Sequence, residues 1–187
     1  MLLPIIISYL LGSIPSAYIV GKLNGIDLGR IGSGNYGGTN VYRALGIKWA
    51  LLVGFIDSFK GFLSVYFFGY PYLIPCVLGH AFSIWIKFRG GKGVASTLGG
   101  TLAYALRGNW APFIFLALTA LFVFLLTRIA SLSSLTSVFS STLSFYYTDY
   151  SLFPFSFALF LLILFLHRSN IKRLIKGEEK RVSRVRV

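Results

Sequence analysis

Acidic residues are scarce in this 187-residue chain: five Asp and Glu stand against 18 Lys and Arg, a formal net charge of +13 at pH 7. That scarcity leaves no clear acid–base pair and no metal-ligand cluster to read. There is one cysteine, Cys76, inside an apolar run, which excludes a disulfide framework and a cysteine metal site. No basic residue precedes the first apolar run; the first, Lys22, follows it, and no convincing small-residue cleavage site is present. An uncleaved first span is therefore expected rather than a signal peptide. Charged residues of both signs make up 12% of the chain, while 56% is hydrophobic, with a mean hydropathy of +0.75. A soluble domain of this size could not hide that much apolar surface, so the composition places the chain in a bilayer. The basic residues flank apolar runs. They read as orientation relative to the membrane and as contact with anionic head groups or substrates, not as a nucleic-acid surface.

Seven apolar segments are legible: Leu2–Val20, Ala50–Phe68, Pro71–Ile86, Val94–Leu106, Trp110–Thr127, Ala130–Tyr147 and Ser151–Leu166. A perpendicular span needs about 20 residues, so the segment 94–106 is short. With the N-terminus outside and all seven crossing, sixteen of the 18 basic residues fall on the cytoplasmic side. Only Arg107 falls outside, and Lys60 lies within a span. The positive-inside tendency then predicts N-out and C-in. The expectation is one all-α integral membrane domain over 1–187, with seven transmembrane helices and short interfacial helices on the cytoplasmic side. No motif repeats between the two halves.

Three polar clusters interrupt this apolar background. The first is GSGNYGGTNVYRALG, residues 32–46, with five glycines among Ser33, Asn35, Thr39, Asn40 and Arg43. Glycines such as Gly34 let backbone N–H groups approach a ligand closely. Thr39 or Asn40 is expected to cap a short helix, Val41–Leu45, ended by Gly46. Amides, a helix N-terminus, hydroxyls and a guanidinium together suit a phosphate. The second cluster is GHAFSIWIKFRGGKGVASTLGG, residues 79–100. Gly90, Gly91 and Gly93 surround Lys92 just before an apolar helix, which again suits an anion. The Walker A spacing is absent, so nucleotide hydrolysis does not follow. His80 reads as a buried structural partner. The third cluster is HRSNIKRLIKGEEK, residues 167–180, an interfacial helix expected to end at Gly177. His167 and Asn170 share a face there. Lys172, Lys176 and the basic tail after Lys180, with Arg184 and Arg186, read first as lipid anchors. Inside a span, Asp57 and Lys60 stand three apart and predict a mutual ion pair, with Asp57 also placed to hold Arg43.

Taken together, these stretches resemble the bacterial acyl-phosphate:glycerol-3-phosphate acyltransferases, the PlsY family, nearly from end to end. GSGNYGGTNVYR looks like that family's first motif, DSFKG and GHAFSIWIKFRGGKGVAS like its middle signatures, and HRSNIKRLIKGEE like its last. Tyr36 and Ser83 stand where proline is usual and Gly38 where alanine is usual. The resemblance implies transfer of a fatty acyl group from acyl phosphate to the 1-hydroxyl of sn-glycerol 3-phosphate, giving lysophosphatidic acid and phosphate. It implies neither metal nor other cofactor. It also implies a multi-pass protein of the bacterial inner membrane, in contact with lipid, with its site facing the cytoplasm; nothing in the sequence requires a partner subunit, so a monomer is expected. Ser33, Asn35, Arg43, His167 and Asn170 carry over as the catalytic set. Gly34, Thr39, Asn40, Lys60, Lys87, Gly91, Lys92, Gly93 and Arg173 carry over as substrate-binding candidates, and Asp57, His80 and Glu179 as structural. Two other functions fit a cytoplasmic phosphate site: a small anion transporter or channel, and a lipid phosphatase. The transporter needs a polar route through the full bilayer, and the donors here crowd one face. The phosphatase lacks a visible acid–base pair or metal ligands.

Overall fold

Glycine or proline marks several helix boundaries, at Pro15, Gly37, Gly46, Gly69 and Gly93. The computed structural model describes residues 2–183, so Arg184 and Arg186 lie outside the described residues. Ten α-helices occupy this range: α1 Leu2–Ser13, α2 Ser16–Leu23, α3 Gly38–Leu45, α4 Ile47–Phe68, α5 Leu73–Ala81, α6 Val94–Ala105, α7 Ala111–Thr127, α8 Ala130–Thr148, α9 Phe153–Leu166 and α10 Arg168–Ile175. Each of the seven apolar segments contains at least one helix. The first is broken: Pro15 lacks an N–H and separates α1 from α2. The Ile14 carbonyl at that break accepts from Lys60 Nζ at 2.7 Å.

At 22 residues, α4 is about 33 Å long, enough to cross the hydrocarbon core. The α1–α2 stretch is also long and apolar enough, and α9 with α10 qualifies as a pair bent by 67°. The segment predicted over 94–106 forms α6, whose 12 residues give only about 18 Å. The short helix predicted at Val41–Leu45 starts three residues earlier, at Gly38, and its cap is Gly37 rather than Thr39 or Asn40.

Packing follows membrane-protein rules. Large apolar side chains such as Leu118, Phe122 and Leu125 of α7 face outward, while Ser8, Ser64, Ser137 and Ser141 are buried between helices. With apolar surroundings outside, close backbone approach and interhelical hydrogen bonds replace hydrophobic burial as the glue. The α4–α6 contact shows this: a Cβ at Gly61 would land on the Ser96 carbonyl, and one at Gly99 on the Ser58 carbonyl. α1 packs on α5 and α7 on α8. One apolar core gathers Tyr70, Tyr104 and Phe145 with Leu73 and Ile163. A second, formed by Ala17, Val20, Leu28, Val41 and Val53, supports the glycine-rich loop before α3. The cations segregate along α4. Lys48 lies at its start, beyond α3 and Arg43. Arg107 sits at its far end, donating to the Val65 and Tyr66 carbonyls at 3.2 and 3.0 Å.

Candidate active site

The first loop is shaped by one buried asparagine. The Asn40 amide donates to the Leu28 and Ile31 carbonyls and its Oδ1 accepts from the Ser33 N–H, all at 3.0 Å. Its side chain is committed to folding the loop, which is why it does not cap α3. The Ser33 hydroxyl is left exposed, while Asn35 is half-buried. The Tyr36 N–H then donates to the Gly90 carbonyl at 3.3 Å, and Gly37 lies against Gly91. The first and second glycine-rich stretches are therefore neighbours.

The second loop is pinned from behind. Gly91 N–H donates to the His80 carbonyl at 3.1 Å, and a Cβ on Gly91 would overlap His80 Nε2. Gly93 has φ +78, with the Val77 side chain packed beneath it, so glycine is required there. Neither Gly37 nor Gly93 supplies a side-chain cap to α3 or α6. The first N–H groups of both helices thus lack the usual oxygen partner and, with the positive dipole end, favour an anion.

Lys92 is where the three clusters meet. Its Nζ donates to Asn170 Oδ1. Asn170 Nδ2 donates to Glu179 Oε1 at 2.6 Å, Ser131 Oγ donates to the same oxygen at 2.8 Å, and Arg173 pairs with Glu179 Oε2 at 2.6 Å. This chain fixes which way the Asn170 amide points. Burial lowers the Lys92 ammonium to about 8; the Glu179 carboxylate opposes the shift, and Arg173 and Arg43 add to it. Burial works against the Glu179 charge, but bonds from Arg173, Asn170 and Ser131 outweigh it and hold its carboxyl below the ordinary range. His167 is 3% exposed at the α9–α10 bend. Burial first, then the Lys92 charge, pulls it down to about 4. It is neutral at physiological pH, and its Nδ1, 2.8 Å from the Ile163 carbonyl, must be the N–H. Nε2 therefore keeps its lone pair. Arg43, Lys92 and Arg173 against one carboxylate leave two positive charges uncompensated, a fit for a phosphate dianion.

The structure thus brings Lys92, His167, Asn170, Arg173 and Glu179 to one place, with Arg43 in electrostatic reach of Lys92, beside the loop carrying Ser33, Gly34 and Asn35 and the start of α3 carrying Thr39. Five expectations change. Asn40, expected among the substrate ligands, is buried with its side chain spent on folding the first loop. The Gly91 N–H, expected on phosphate, is spent on the His80 carbonyl. Lys60, expected among the substrate ligands, is buried and bonded to Asp57 Oδ1 at 2.6 Å and to the Ile14 carbonyl, so it closes the α1–α2 break instead. Asp57 does not hold Arg43; its partners are Lys60 and Ser16 Oγ at 2.5 Å, with His80 at 3.6 Å. Lys87 lies on an exposed loop in the left-handed region, φ +56, outside the Lys92 network. Two serines outside the expected set, Ser16 and Ser131, bond the two buried carboxylates; their one sequence signal is polarity at the start of an apolar helix. Among the described residues no group of His, Cys, Asp and Glu could hold a metal.

Comparison with known proteins gives the same reading. Residues 2–177 match the sequence profile of the family described as glycerol-3-phosphate acyltransferase. The chain is 44% identical to the glycerol-3-phosphate acyltransferase of Endomicrobium trichonymphae, over 97% of this chain and 95% of the relative. Its fold is similar to the crystal structure of PlsY (YgiH), an integral membrane glycerol 3-phosphate acyltransferase, in its glycerol 3-phosphate form. The TM-score is 0.89 at 38% identity, covering 97% of this chain and 95% of that one. The lysophosphatidic acid form of the same enzyme matches with a TM-score of 0.85 at 38% identity, covering 96% and 94%. A fold match this complete, with sequence identity along the whole length, establishes that the chain belongs to the glycerol-3-phosphate acyltransferase family.

Proposed function

We propose that this protein is a membrane enzyme that acylates glycerol 3-phosphate with acyl phosphate as the donor, releasing lysophosphatidic acid and phosphate. The observation that carries the reading is the Lys92–Asn170–Glu179–Arg173 network lying beside two helix starts without side-chain caps, with Arg43 in electrostatic reach. Both substrates of this reaction bear phosphate, and the site offers cations and free amides for phosphate. In this reading Arg43, Lys92 and the Gly93 amide hold phosphate, the Gly91 N–H being spent on the His80 carbonyl, Ser33 and Asn35 hold a phosphate head, and His167 and Asn170 orient the glycerol hydroxyl. The charge distribution supports seven crossings, N-terminus out and C-terminus in, with the site on the cytoplasmic side of the bacterial inner membrane, where glycerol 3-phosphate is found.

Chemically, the glycerol 1-hydroxyl oxygen forms a bond to the acyl carbonyl carbon. The bond from that carbon to the phosphate oxygen breaks, and phosphate leaves with the electron pair. The hydroxyl proton needs an acceptor. An efficient general base has a pKa near the operating pH, and His167, lowered to about 4, is a poor match. The departing phosphate oxygens are better bases, so the proton leaves with phosphate. Positioning and charge stabilisation then supply most of the rate. The test is an assay of purified protein in lipid with glycerol 3-phosphate and palmitoyl phosphate, run beside palmitoyl-CoA. Lysophosphatidic acid from the phosphate donor alone is the expected result; product from the thioester alone overturns the donor. Phosphate flux into liposomes without a donor, and no acylated product, would move the reading to an anion transporter.

A further inference from the structure

Between α5 and the glycines before α6 the chain folds back on itself. Ser83 N–H donates to the Arg89 carbonyl at 3.3 Å and Phe88 N–H to the Ser83 carbonyl at 2.9 Å, closing a hairpin over 83–89. Its base is fixed from within. Ser83 Oγ donates to the Ser13 carbonyl at 2.5 Å, Tyr9 Oη donates to the Phe82 carbonyl at 2.7 Å, and Ile86 is buried. Its tip is exposed: Trp85 by 64% and Phe88 by 62%, with Lys87 and Arg89 exposed alongside.

The hairpin backbone is strained. Lys87 and Phe88 both have φ +56, two of the three non-glycine residues with positive φ among the described residues. That region costs a non-glycine residue on the order of 1–3 kcal/mol, and a bulky ring is rare there. Glycine would avoid the cost; the chain instead keeps an aromatic ring and an ammonium at these two positions. Among the described residues neither Lys87 nor Arg89 forms an ion pair. The hairpin also closes the apolar segment 71–86, which puts it at the boundary of the hydrocarbon rather than out in water. Two rings at that depth suit the headgroup level of a bilayer, and two unpaired cations beside them complement lipid whose headgroup is anionic.

We infer that the 83–89 hairpin binds anionic phospholipid of the surrounding leaflet, with Trp85 and Phe88 in the interface and Lys87 and Arg89 on the headgroups. From Arg89 the chain runs through Gly90 and Gly91, whose N–H is held by the His80 carbonyl, to Lys92. A hairpin held by lipid therefore seats the Lys92 loop at the level of the headgroups. The inference does not depend on which acyl donor the enzyme uses.

Trp85 is its own reporter. With Trp49→Phe and Trp110→Phe, the full chain in lipid vesicles carries one tryptophan, at the hairpin. The probes are phosphatidylglycerol and phosphatidylcholine with brominated tails, added separately at equal mole fraction to phosphatidylcholine vesicles, because bromine near the ring quenches its fluorescence. Brominated phosphatidylglycerol should quench at least about twofold more than brominated phosphatidylcholine, since each cation near an anionic headgroup adds attraction. High salt should narrow that difference. Lys87→Gln with Arg89→Gln should abolish it and leave the quenching by phosphatidylcholine in place, which also shows that the variant is folded with its rings in the interface. Equal quenching by the two lipids in the single-tryptophan parent means ordinary lipid contact and overturns the inference. No quenching by either lipid overturns it too, and places the hairpin in water or against another protein. A preference untouched by salt, or one that survives loss of both cations, overturns the assignment to Lys87 and Arg89. The parent and its salt series decide the matter even if the double variant fails to fold.

Discussion

Lys92 carries the sharpest residue-scale expectation because its charge is both needed and weakened. The ammonium, pulled down to about 8 chiefly by burial, loses its proton as pH rises through that value. If it binds phosphate as a cation, kcat/KM for glycerol 3-phosphate should fall as pH rises through about 8. Lys92→Arg, which stays charged, should move that descending limb upward even if the plateau drops. His167 gives the complementary case: held at about 4, it is neutral throughout the working range. The second ionisation of the substrate phosphate, at about pH 6, supplies its own ascending limb; a further limb in kcat at saturating substrate that disappears in His167→Gln would argue for histidine as the base. Arg43 and Lys92 stand out in the sequence as cations packed among glycines in an apolar chain, whereas the roles expected of His167 and Asn170 came from the family resemblance. The bonds of Asn40 and Ser131 were not legible: what an amide or hydroxyl bonds depends on which loop or tail folds over it, and no spacing encodes that.

At the scale of elements, the buried Asp57–Lys60 pair joins the broken first helix to α4 and α5. Removing one partner leaves an uncompensated charge, which costs about 3–5 kcal/mol. Asp57→Asn should therefore lower the melting temperature sharply, and Asp57→Asn with Lys60→Met should recover much of the loss; equal losses in the single and double variants would count against the pair. Gly61→Ala should separate α4 from α6 by driving a methyl into the Ser96 carbonyl, costing about 1–3 kcal/mol and lowering the yield of folded protein. Periodicity and composition revealed every apolar segment here. They showed that the segment forming α6 is short, but could not reveal that α1 stops at Ser13, because a hydrophobic run does not record where its backbone bonds are interrupted.

For the whole molecule, the segregation of basic residues is the testable property. Arg107 caps the end of α4 opposite Lys48, so a membrane-impermeant thiol reagent distinguishes the two faces. In a Cys76→Ala background, Arg107→Cys should react in intact cells and Lys176→Cys only after permeabilisation; the reverse pattern would invert the proposed orientation. The starts of α3 and α6 bear on how the protein behaves at the bench. Amides held open for an oxyanion are poorly satisfied when none is there, so the empty enzyme should be its least robust form. Orthophosphate, the leaving group, should raise the melting temperature in proportion to the logarithm of its concentration once saturating, and sodium chloride of equal ionic strength should not. If so, a preparation moved from phosphate to a zwitterionic buffer becomes more fragile and more active at once, since the same ion that steadies it also occupies the seat of its substrates.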